Sequence, residues 1–164
     1  MLKRTLLNLL LLTVFTVQAN AFSIGGFAAG AVPSAEAPSE VVARALCPEP
    51  GTALSPEVHD SIRTAAILKL IEDIYYGRDL PFSKDGTTFQ NREGLLPQED
   101  TGFYKEYTLL TGEAPHQVQI GDTMYNVSPD LGKRGSERVI IGGGMKVYYT
   151  PDHYRTFIEL RIVR

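Results

Sequence analysis

The sequence predicts an α+β domain in which one N-terminal helix packs on a twisted antiparallel β-sheet. Three observations support this prediction. A clear apolar stripe at helical spacing runs from residue 58 to residue 74. Five segments of alternating, β-branched or aromatic character follow it, and turn signals separate them. Because one helix precedes a series of strands, the pattern favours an antiparallel sheet over alternating helices and parallel strands.

The N-terminal part of the chain predicts export rather than folded structure. Residues 1–21 combine a basic start, a short apolar run and the ending Ala19-Asn20-Ala21, the pattern of a secretory signal peptide. An uncleaved membrane anchor is the weaker alternative, because the run is shorter than the roughly 20 apolar residues of a spanning helix. Residues 22–45 are rich in Gly, Ala, Pro and Ser and are typical of a flexible spacer. The folded domain is therefore expected to cover residues 46–164.

The helix is predicted to begin at Ser55-Pro56-Glu57, which offers an N-cap, a proline at the first helical position and an acid in the first turn. Gly77 is the predicted stop. The apolar face recurs every three or four residues, as expected of a helix that covers a core. Its members are Val58, Ile62, Ala66, Ile67, Leu70, Ile71 and Ile74.

The strands are expected after Asp79, and each is bounded by glycine, proline or aspartate. The run Gly142-Gly143-Gly144 indicates a bulge or tight turn between two of them, since a phosphate-binding loop would need a following lysine and helix. Residues 111–132 form a long connection without a clear period. The predicted strands are Thr87–Glu93, Phe103–Leu110, Glu137–Ile141, Lys146–Thr150 and Thr156–Val163.

Cysteine and charge set further limits. Cys47 is the only cysteine, so it is either a free thiol or pairs between chains. We expect a monomer. The whole chain carries a net charge of −3, which does not suggest a nucleic-acid binder. The charge is uneven, however: residues 22–132 sum to −9 and residues 133–164 to +4. A basic C-terminal quarter of this kind can hold an anion such as phosphate locally.

Residues in and near the basic quarter could act together on a phosphate ester. His153 lies in the aromatic-flanked turn Tyr148–Tyr154, Arg134 and Arg138 lie four residues apart around a glycine, and Glu106 lies on a predicted strand. Taken singly, the arginines would be solvated loop residues and the glutamate a surface residue. Together they supply a base, an acid and cations, which are the requirements of RNA cleavage without a metal.

A metal site has weaker support. The sequence holds three histidines, His59, His116 and His153, but no HExxH motif and no pair of cysteines. We therefore expect neither a metal nor another cofactor.

With these residues the sequence resembles the microbial guanyl-specific ribonuclease family, to which barnase belongs. The resemblance covers roughly residues 46–162, in the family's order. It implies that Glu106 is the general base, His153 the general acid, and Arg134 and Arg138 the phosphate-binding arginines. The segments that carry it are Phe82–Gly86, Phe89–Glu93, Leu96-Pro97, Gly102–Thr108, Arg134-Gly135 with Arg138 and Ile140, and Tyr148–Thr150 with Asp152–Tyr154 and Thr156-Phe157.

The resemblance also implies a guanine site. In the family, backbone amides of the recognition segment meet guanine O6 and its glutamate, here Glu93, accepts from guanine N1 and N2. Adenine would leave that carboxylate unpaired, which is costly. Tyr154 matches the tyrosine that flanks phosphate and base. The implied substrate-binding residues are Phe89, Gln90, Asn91, Arg92, Glu93 and Tyr154.

The sequence therefore predicts a secreted endoribonuclease that cleaves single-stranded RNA after guanosine through a 2′,3′-cyclic phosphate, which is then hydrolysed. Reference pKa values of about 4.3 for glutamate and about 6.5 for histidine predict a bell-shaped, mildly acidic optimum. One alternative is a non-catalytic RNA- or protein-binding module on the same scaffold. Another is the same activity used as an antibacterial toxin, with a barstar-like inhibitor as its partner. We expect no contact with a membrane once the leader is removed.

Overall fold

The computed structural model of the chain describes residues 47–130 and 132–164. The leader and spacer predicted over residues 1–45 lie outside these ranges. Within the described ranges, the one helix is too short and too polar to cross a membrane.

One helix and eight strands make up the described part of the chain. The helix follows the first strand, and the remaining strands follow the helix. The elements are β1 (Ala53–Ser55), α1 (Ser61–Tyr75), β2 (Thr87–Thr88), β3 (Tyr104–Thr108), β4 (Gln117–Ile120), β5 (Thr123–Asn126), β6 (Arg138–Gly142), β7 (Lys146–Thr150) and β8 (Ile158–Val163).

Six strands form one antiparallel sheet in the order β1-β8-β7-β6-β3-β2, and β4 pairs with β5 in a separate hairpin. The largest core cluster joins Ile67 and Ile71 of α1 to Val139 of β6 and Tyr149 of β7, all of which are fully buried. The predicted α+β fold, one helix on an antiparallel sheet, is confirmed.

The predicted start of the helix is wrong by about one and a half turns. Ser55 ends β1, and the Ser55-Pro56 peptide bond is cis. The N-cap is Asp60, whose carboxylate accepts hydrogen bonds from the amides of Ile62 and Arg63. The helix begins at Asp60 rather than at Ser55-Pro56 because residues 57–59 pair with the β4–β5 hairpin.

The apolar face of α1 is predicted only in part. Ile67, Leu70 and Ile71 are buried, whereas Ile62 is 46% exposed. Arg63 takes a core position instead and is 1% exposed. The end of the helix is predicted correctly, because Gly77 follows it at a φ of 63°, a left-handed conformation that glycine adopts without strain.

A buried ion pair explains how Arg63 is accommodated. Its Nε donates to Glu137 Oε2 at 2.9 Å, and its Nη2 donates to Glu137 Oε1 at 3.2 Å. Asp60 forms a second ion pair with the guanidinium. Glu137 also accepts from Thr111 Oγ1 at 2.6 Å and from the Tyr149 hydroxyl. Both charges are therefore compensated, as buried ions must be.

The predicted strands match β3, β6, β7 and β8 closely, but the structure differs from the prediction in three places. The edge strand β1 was not predicted, because Ser55 was assigned to the start of the helix. The first predicted strand stops at Thr88, and residues 89–93 form a loop. The long connection contains the β4–β5 hairpin, which the sequence did not predict. Its inward side chains Val118 and Ile120 are 2% and 3% exposed and complete the core beside Val58. As predicted, Gly143 and Gly144 form a tight turn between β6 and β7, at φ values of 56° and 72°.

Cys47 begins the described domain and is 5% exposed. It is a free thiol in the described chain. Burial raises its pKa to about 11, so the thiol is neutral at physiological pH.

Candidate active site

Glu106 is placed by the centre of the sheet. It lies on β3, opposite Thr87 of β2 and Ile140 of β6. Its side chain is 15% exposed, so the carboxylate faces a largely enclosed space at the sheet surface. Two groups donate to it: Arg134 Nη2 to Oε1 at 3.1 Å, and the Tyr154 hydroxyl to Oε2 at 2.9 Å. Both contacts fix the orientation of the carboxylate.

Arg134 is held against the sheet by more than Glu106. Its Nε donates to Thr108 Oγ1 at 2.8 Å, and its Nη2 lies 3.4 Å from Asp85 Oδ1. Asp85 Oδ1 also accepts from the amide and hydroxyl of Thr108, at 2.8 and 2.7 Å. The Asp85 side chain is 1% exposed. A buried acceptor therefore fixes both Thr108 and Arg134 in position.

Arg138 begins β6 and is 3% exposed. Its Nη1 donates to the carbonyls of Arg134, Gly135 and Glu137, at 3.0, 3.0 and 2.7 Å. Its Nε is buried and has no hydrogen-bond partner within the described residues. The three carbonyls fix the guanidinium of a residue that lines the adjacent pocket.

His153 and Tyr154 are presented by a strained turn after β7. Both adopt left-handed backbone conformations, with φ values of 57° and 72°. Asp152 Oδ1 stabilises the turn by accepting from the amides of Arg155 and Thr156, at 3.0 and 2.8 Å. The Tyr154 amide donates to Thr150 Oγ1 at 2.9 Å. This turn leaves the His153 side chain exposed at the mouth of the site.

Tyr154 contacts Glu106, His153 and Arg138. Its hydroxyl bonds to Glu106, its ring centre lies 4.6 Å from that of His153, and the Arg138 guanidinium lies 6.0 Å from its ring. Burial, with the hydrogen bond and charge of Glu106, raises the pKa of its hydroxyl. The hydroxyl therefore remains a donor at neutral pH. The ring also stacks on Phe89 at a centroid distance of 5.2 Å.

The loop after β2 forms a second pocket on the other side of Tyr154. The pocket has a volume of about 250 Å³ and is lined by Phe89–Glu93, Thr88, Glu106 and Tyr154. The Asn91 side chain shapes the loop: its Nδ2 donates to the Leu96 carbonyl at 2.8 Å and its Oδ1 accepts from the Leu96 amide at 3.0 Å. Asn91 adopts a φ of 47°, which asparagine tolerates.

The side chains of residues 89–93, here called the recognition loop, divide into two groups. Asn91 is used within the loop and Phe89 packs on Tyr154, whereas Gln90, Arg92 and Glu93 are exposed. The Phe89 amide donates to Tyr104. Within residues 47–130 and 132–164, the amides of Gln90, Asn91 and Arg92 have no protein acceptor. The loop therefore offers donors and a carboxylate, Glu93, on one face.

A larger pocket of about 520 Å³ opens on the His153 side. Its walls are basic, with apolar side chains between the charges. They include Phe82, Lys133, Arg134, Arg138, His153 and Arg155. In the described ranges, no three His, Cys, Asp or Glu side chains cluster closely enough to hold a metal ion.

Comparison with known proteins identifies the family. The family model described as ribonuclease matches residues 50–161. This chain belongs to the ribonuclease family. Guanyl-specific ribonuclease Sa3 of Kitasatospora aureofaciens is 38% identical over 107 residues, which are 65% of this chain and 57% of that protein. Guanyl-specific ribonuclease Sa of the same organism is 35% identical over 107 residues, which are 65% of this chain and 84% of that protein.

The chain matches different shares of the two relatives' lengths. The chain spans somewhat over half the length of the Sa3 relative and more than four-fifths of the Sa relative. Among solved structures, ribonuclease Sa2 with 3′-GMP is 29% identical, with a TM-score of 0.42, over 58% of this chain and 83% of that chain. The family model and the curated Sa and Sa3 relatives place the chain among the guanyl-specific ribonucleases, as the sequence predicted.

In this ribonuclease domain the predicted residues fall into one continuous site. Glu106, Arg138 and His153 contact Tyr154, and Arg134 joins them through Glu106. The loop of residues 89–93 adjoins them through Phe89. Sequence reasoning missed Asp85 and Thr108, which hold Arg134. The only signal at Asp85 is the Asp85-Gly86 pair, which predicts a turn and gives no hint of a buried acceptor.

Proposed function

We propose that the chain is a guanyl-preferring endoribonuclease that cleaves single-stranded RNA without a cofactor. One observation supports this most directly: Tyr154 bonds to the Glu106 carboxylate while its ring lies 4.6 Å from the His153 ring, so one side chain contacts both the proposed base and the proposed acid. Arg134 donates to the same carboxylate, and the Arg138 guanidinium lies 6.0 Å from the Tyr154 ring. General acid–base catalysis of phosphate transfer needs these groups in this arrangement.

The reaction begins at the 2′-hydroxyl of a guanosine. Glu106 accepts the hydroxyl proton as the O2′–P bond forms, and the P–O5′ bond breaks as His153 gives its proton to the departing O5′. Arg134 and Arg138, which line the pocket beside His153, stabilise the charge that develops on phosphorus oxygens. The products are a 2′,3′-cyclic phosphate and a 5′-hydroxyl. In the slower second step water opens the cyclic phosphate, with the two proton carriers in exchanged roles.

Tyr154 contributes position rather than a proton. Its hydroxyl holds Glu106 Oε2 at 2.9 Å, which leaves Oε1 to Arg134 until substrate arrives. The substrate hydroxyl must then displace or share one of these donors. Because the tyrosine hydroxyl has a raised pKa, it stays a hydrogen-bond donor to the carboxylate throughout the neutral range.

We assign the preference for guanine to the pocket of about 250 Å³ that the recognition loop lines, here called the recognition pocket. Glu93 would accept from guanine N1 and N2, and the free amides of Gln90, Asn91 and Arg92 would donate to O6. Phe89 and Tyr154, stacked at 5.2 Å, form an aromatic wall against which a base can lie. Adenine lacks a proton at N1 and the N2 amine, so it leaves the carboxylate unpaired and is rejected.

The remaining assignments rest on sequence alone. We propose a signal peptide over residues 1–21, which directs the protein out of the cytoplasm. A spacer over residues 22–45 and a ribonuclease domain over residues 46–164 follow it. A barstar-like inhibitor would be required if the producing cell met its own enzyme. The domain is proposed to act as a monomer.

A dinucleotide series tests the function. Purified domain is incubated with GpA, ApA, CpA and UpA, with and without EDTA, and products are separated by chromatography. We expect guanosine 2′,3′-cyclic phosphate as the first product of GpA, at an EDTA-insensitive rate well above those of the other three. Loss of cleavage in EDTA would contradict the metal-free mechanism. RNA binding without cleavage would instead favour the non-catalytic module.

A further inference from the structure

We propose that Arg63 is a positioning residue for RNA cleavage, although it lies on α1, behind the sheet as seen from the site. Through the buried carboxylate of Glu137 it fixes the backbone that holds the Arg138 guanidinium. This role rests on the proposed function, in which Arg138 binds the reacting phosphate. It gives the buried Arg63–Glu137 ion pair a part in catalysis as well as in stability.

Glu137 and Arg138 are consecutive residues that serve opposite faces of the sheet. Successive side chains of a strand alternate between the two faces. Val139, two residues after Glu137, packs in the core cluster that contains α1, whereas Ile140, two residues after Arg138, packs in the cluster that Tyr154 borders. The peptide between Glu137 and Arg138 therefore connects the helix side of the sheet to the site.

The backbone of residues 134–137 sets the position of the Arg138 guanidinium. Of the three carbonyls that accept from its Nη1, that of Glu137 is the nearest, at 2.7 Å, and those of Arg134 and Gly135 follow at 3.0 Å. Gly135 adopts a φ of 60°. Because glycine restricts the backbone less than any other residue, contacts from other elements must hold these carbonyls in place.

The Glu137 carboxylate supplies such contacts from three parts of the chain. The side chain is 4% exposed, and Arg63 of α1, Thr111 of the long connection and Tyr149 of β7 all donate to it. Arg63 donates twice, from Nε at 2.9 Å and from Nη2 at 3.2 Å. A guanidinium that donates twice fixes the direction of a carboxylate as well as its distance.

Arg63 is anchored independently of Glu137. Its Nη1 forms an ion pair with Asp60, and its Nη2 donates to the Pro115 carbonyl at 2.6 Å. Asp60 is also the N-cap of α1. The guanidinium that orients Glu137 is therefore fixed relative to the helix and to the start of the long connection.

The chemistry of the pair also favours a positioning role. Apolar residues of similar volume often stabilise a core as well as a buried ion pair does, so stability alone does not account for the pair. A doubly bonded ion pair adds a defined geometry. Displacing a catalytic group by about 1 Å can lower a reaction rate by about 10²-fold, so such a geometry matters one residue away from Arg138.

The first test compares two ligands that differ by one phosphate, guanosine and guanosine 3′-phosphate. NMR titration of the purified protein gives the dissociation constant of each. Arg63→Lys keeps the positive charge and loses the double contact with Glu137. We expect it to weaken the binding of guanosine 3′-phosphate by roughly tenfold, the scale of one charge-assisted hydrogen bond, and to leave guanosine binding unchanged. A variant that is merely less stable would weaken both ligands by the same factor.

Kinetics with GpA give a second readout. Arg138 serves the transition state more than the bound substrate, so kcat of Arg63→Lys should fall by roughly tenfold or more while KM rises less. Thr111→Val removes one donor to Glu137 and leaves the ion pair intact. It should shift both readouts in the same direction by a smaller factor, and it carries the test if Arg63→Lys does not fold. Circular dichroism at the assay temperature checks the fold of each variant.

Arg78→Lys is the matched control. Arg78 follows the end of α1, forms ion pairs with Glu72 and Asp73, and has a side chain that is 47% exposed. It lines neither pocket of the site. Both dissociation constants and kcat should therefore keep their wild-type values in this variant.

The possible results separate the positioning role from the proposed function. Wild-type kcat and wild-type affinity for guanosine 3′-phosphate in the folded variants would overturn the role of Arg63. An equal loss of affinity for both ligands would overturn it too, because the effect would then be a general loss of structure. If the wild-type protein bound neither ligand and left GpA intact, the proposed function itself would have failed.

Discussion

Asp85 Oδ1 lies 3.4 Å from Arg134 Nη2 and so connects a buried acceptor in the sheet to the arginine beside Glu106. The same oxygen accepts both the amide and the hydroxyl of Thr108. Its partner Oδ2 is buried without a hydrogen bond within the described residues. Oδ1 therefore accepts from three donors. Burial also removes water from Oδ2, and no hydrogen bond within the described residues compensates for that loss.

Replacing Asp85 with alanine should both destabilise the fold and displace Arg134. Loss of the acceptor leaves the buried Thr108 amide unpaired, and we expect the free energy of unfolding in urea to fall by about 1–3 kcal/mol. The kcat/KM for GpA should fall as well. Asp79→Ala, at an exposed aspartate, is the matched control. An Asp85→Ala variant with wild-type stability would contradict the role of this oxygen.

Replacing His153 should abolish turnover without unfolding the domain. Asparagine is the better substitute than alanine because it tolerates the left-handed backbone at φ 57°. Without the general acid, kcat for GpA should fall by about 10²–10⁴-fold. The melting temperature should change little, since the histidine is exposed. Near wild-type kcat in His153→Asn would show that another group protonates the leaving oxygen.

Replacing Glu93 with glutamine tests base recognition separately from chemistry. The amide cannot accept from both guanine N1 and N2 as the carboxylate does, so kcat/KM for GpA should fall by roughly tenfold or more. Cleavage of ApA should change much less. Glu113→Gln, at an exposed glutamate of the long connection, is the control. An equal loss on both substrates would indicate a structural role for Glu93.

The sequence predicted those elements whose signals are local. Tyr148–Tyr149 and Ile140–Ile141 carry strong β-propensity, so β6 and β7 were predicted to within one residue at each end. The start of β8 was predicted to within two residues. The β4–β5 hairpin was missed because its strands are short and only Val118 and Ile120 are fully buried. Its stability comes from contacts with distant Val58.

Contacts between residues far apart in the sequence also explain which parts of the site were not predicted. Glu106, Arg134, Arg138 and His153 were predicted because their residue types match a known chemistry and a known family. The support given by Asp85 joins residues 49 positions apart, and no local pattern encodes such a contact. The helix start was misplaced for a related reason, since pairing with the hairpin decides where the chain turns into α1.

The Arg63–Glu137 pair should be costly to break on one side only. We expect Arg63→Met to lower the free energy of unfolding by about 3–5 kcal/mol, because Glu137 is left charged and buried. In a double-mutant cycle with Glu137→Gln, the two losses should add to clearly more than the loss of the double variant. The exposed Arg78–Glu72 pair is the control, and its two losses should be close to additive because water screens the charges. Additive losses at the buried pair would contradict the network.

Alkaline conditions should destabilise the domain because buried acids stay neutral in the folded state. Burial raises the pKa of Cys47 to about 11 and that of Tyr107 to about 12. In the unfolded chain the thiol ionises near pH 8.5, so protons leave the unfolded state first and stability falls as pH rises above about 9. Urea unfolding at about pH 8 and about pH 10.5 measures this. Cys47→Ala should show a smaller fall, and an equal fall would assign the effect to the tyrosines alone.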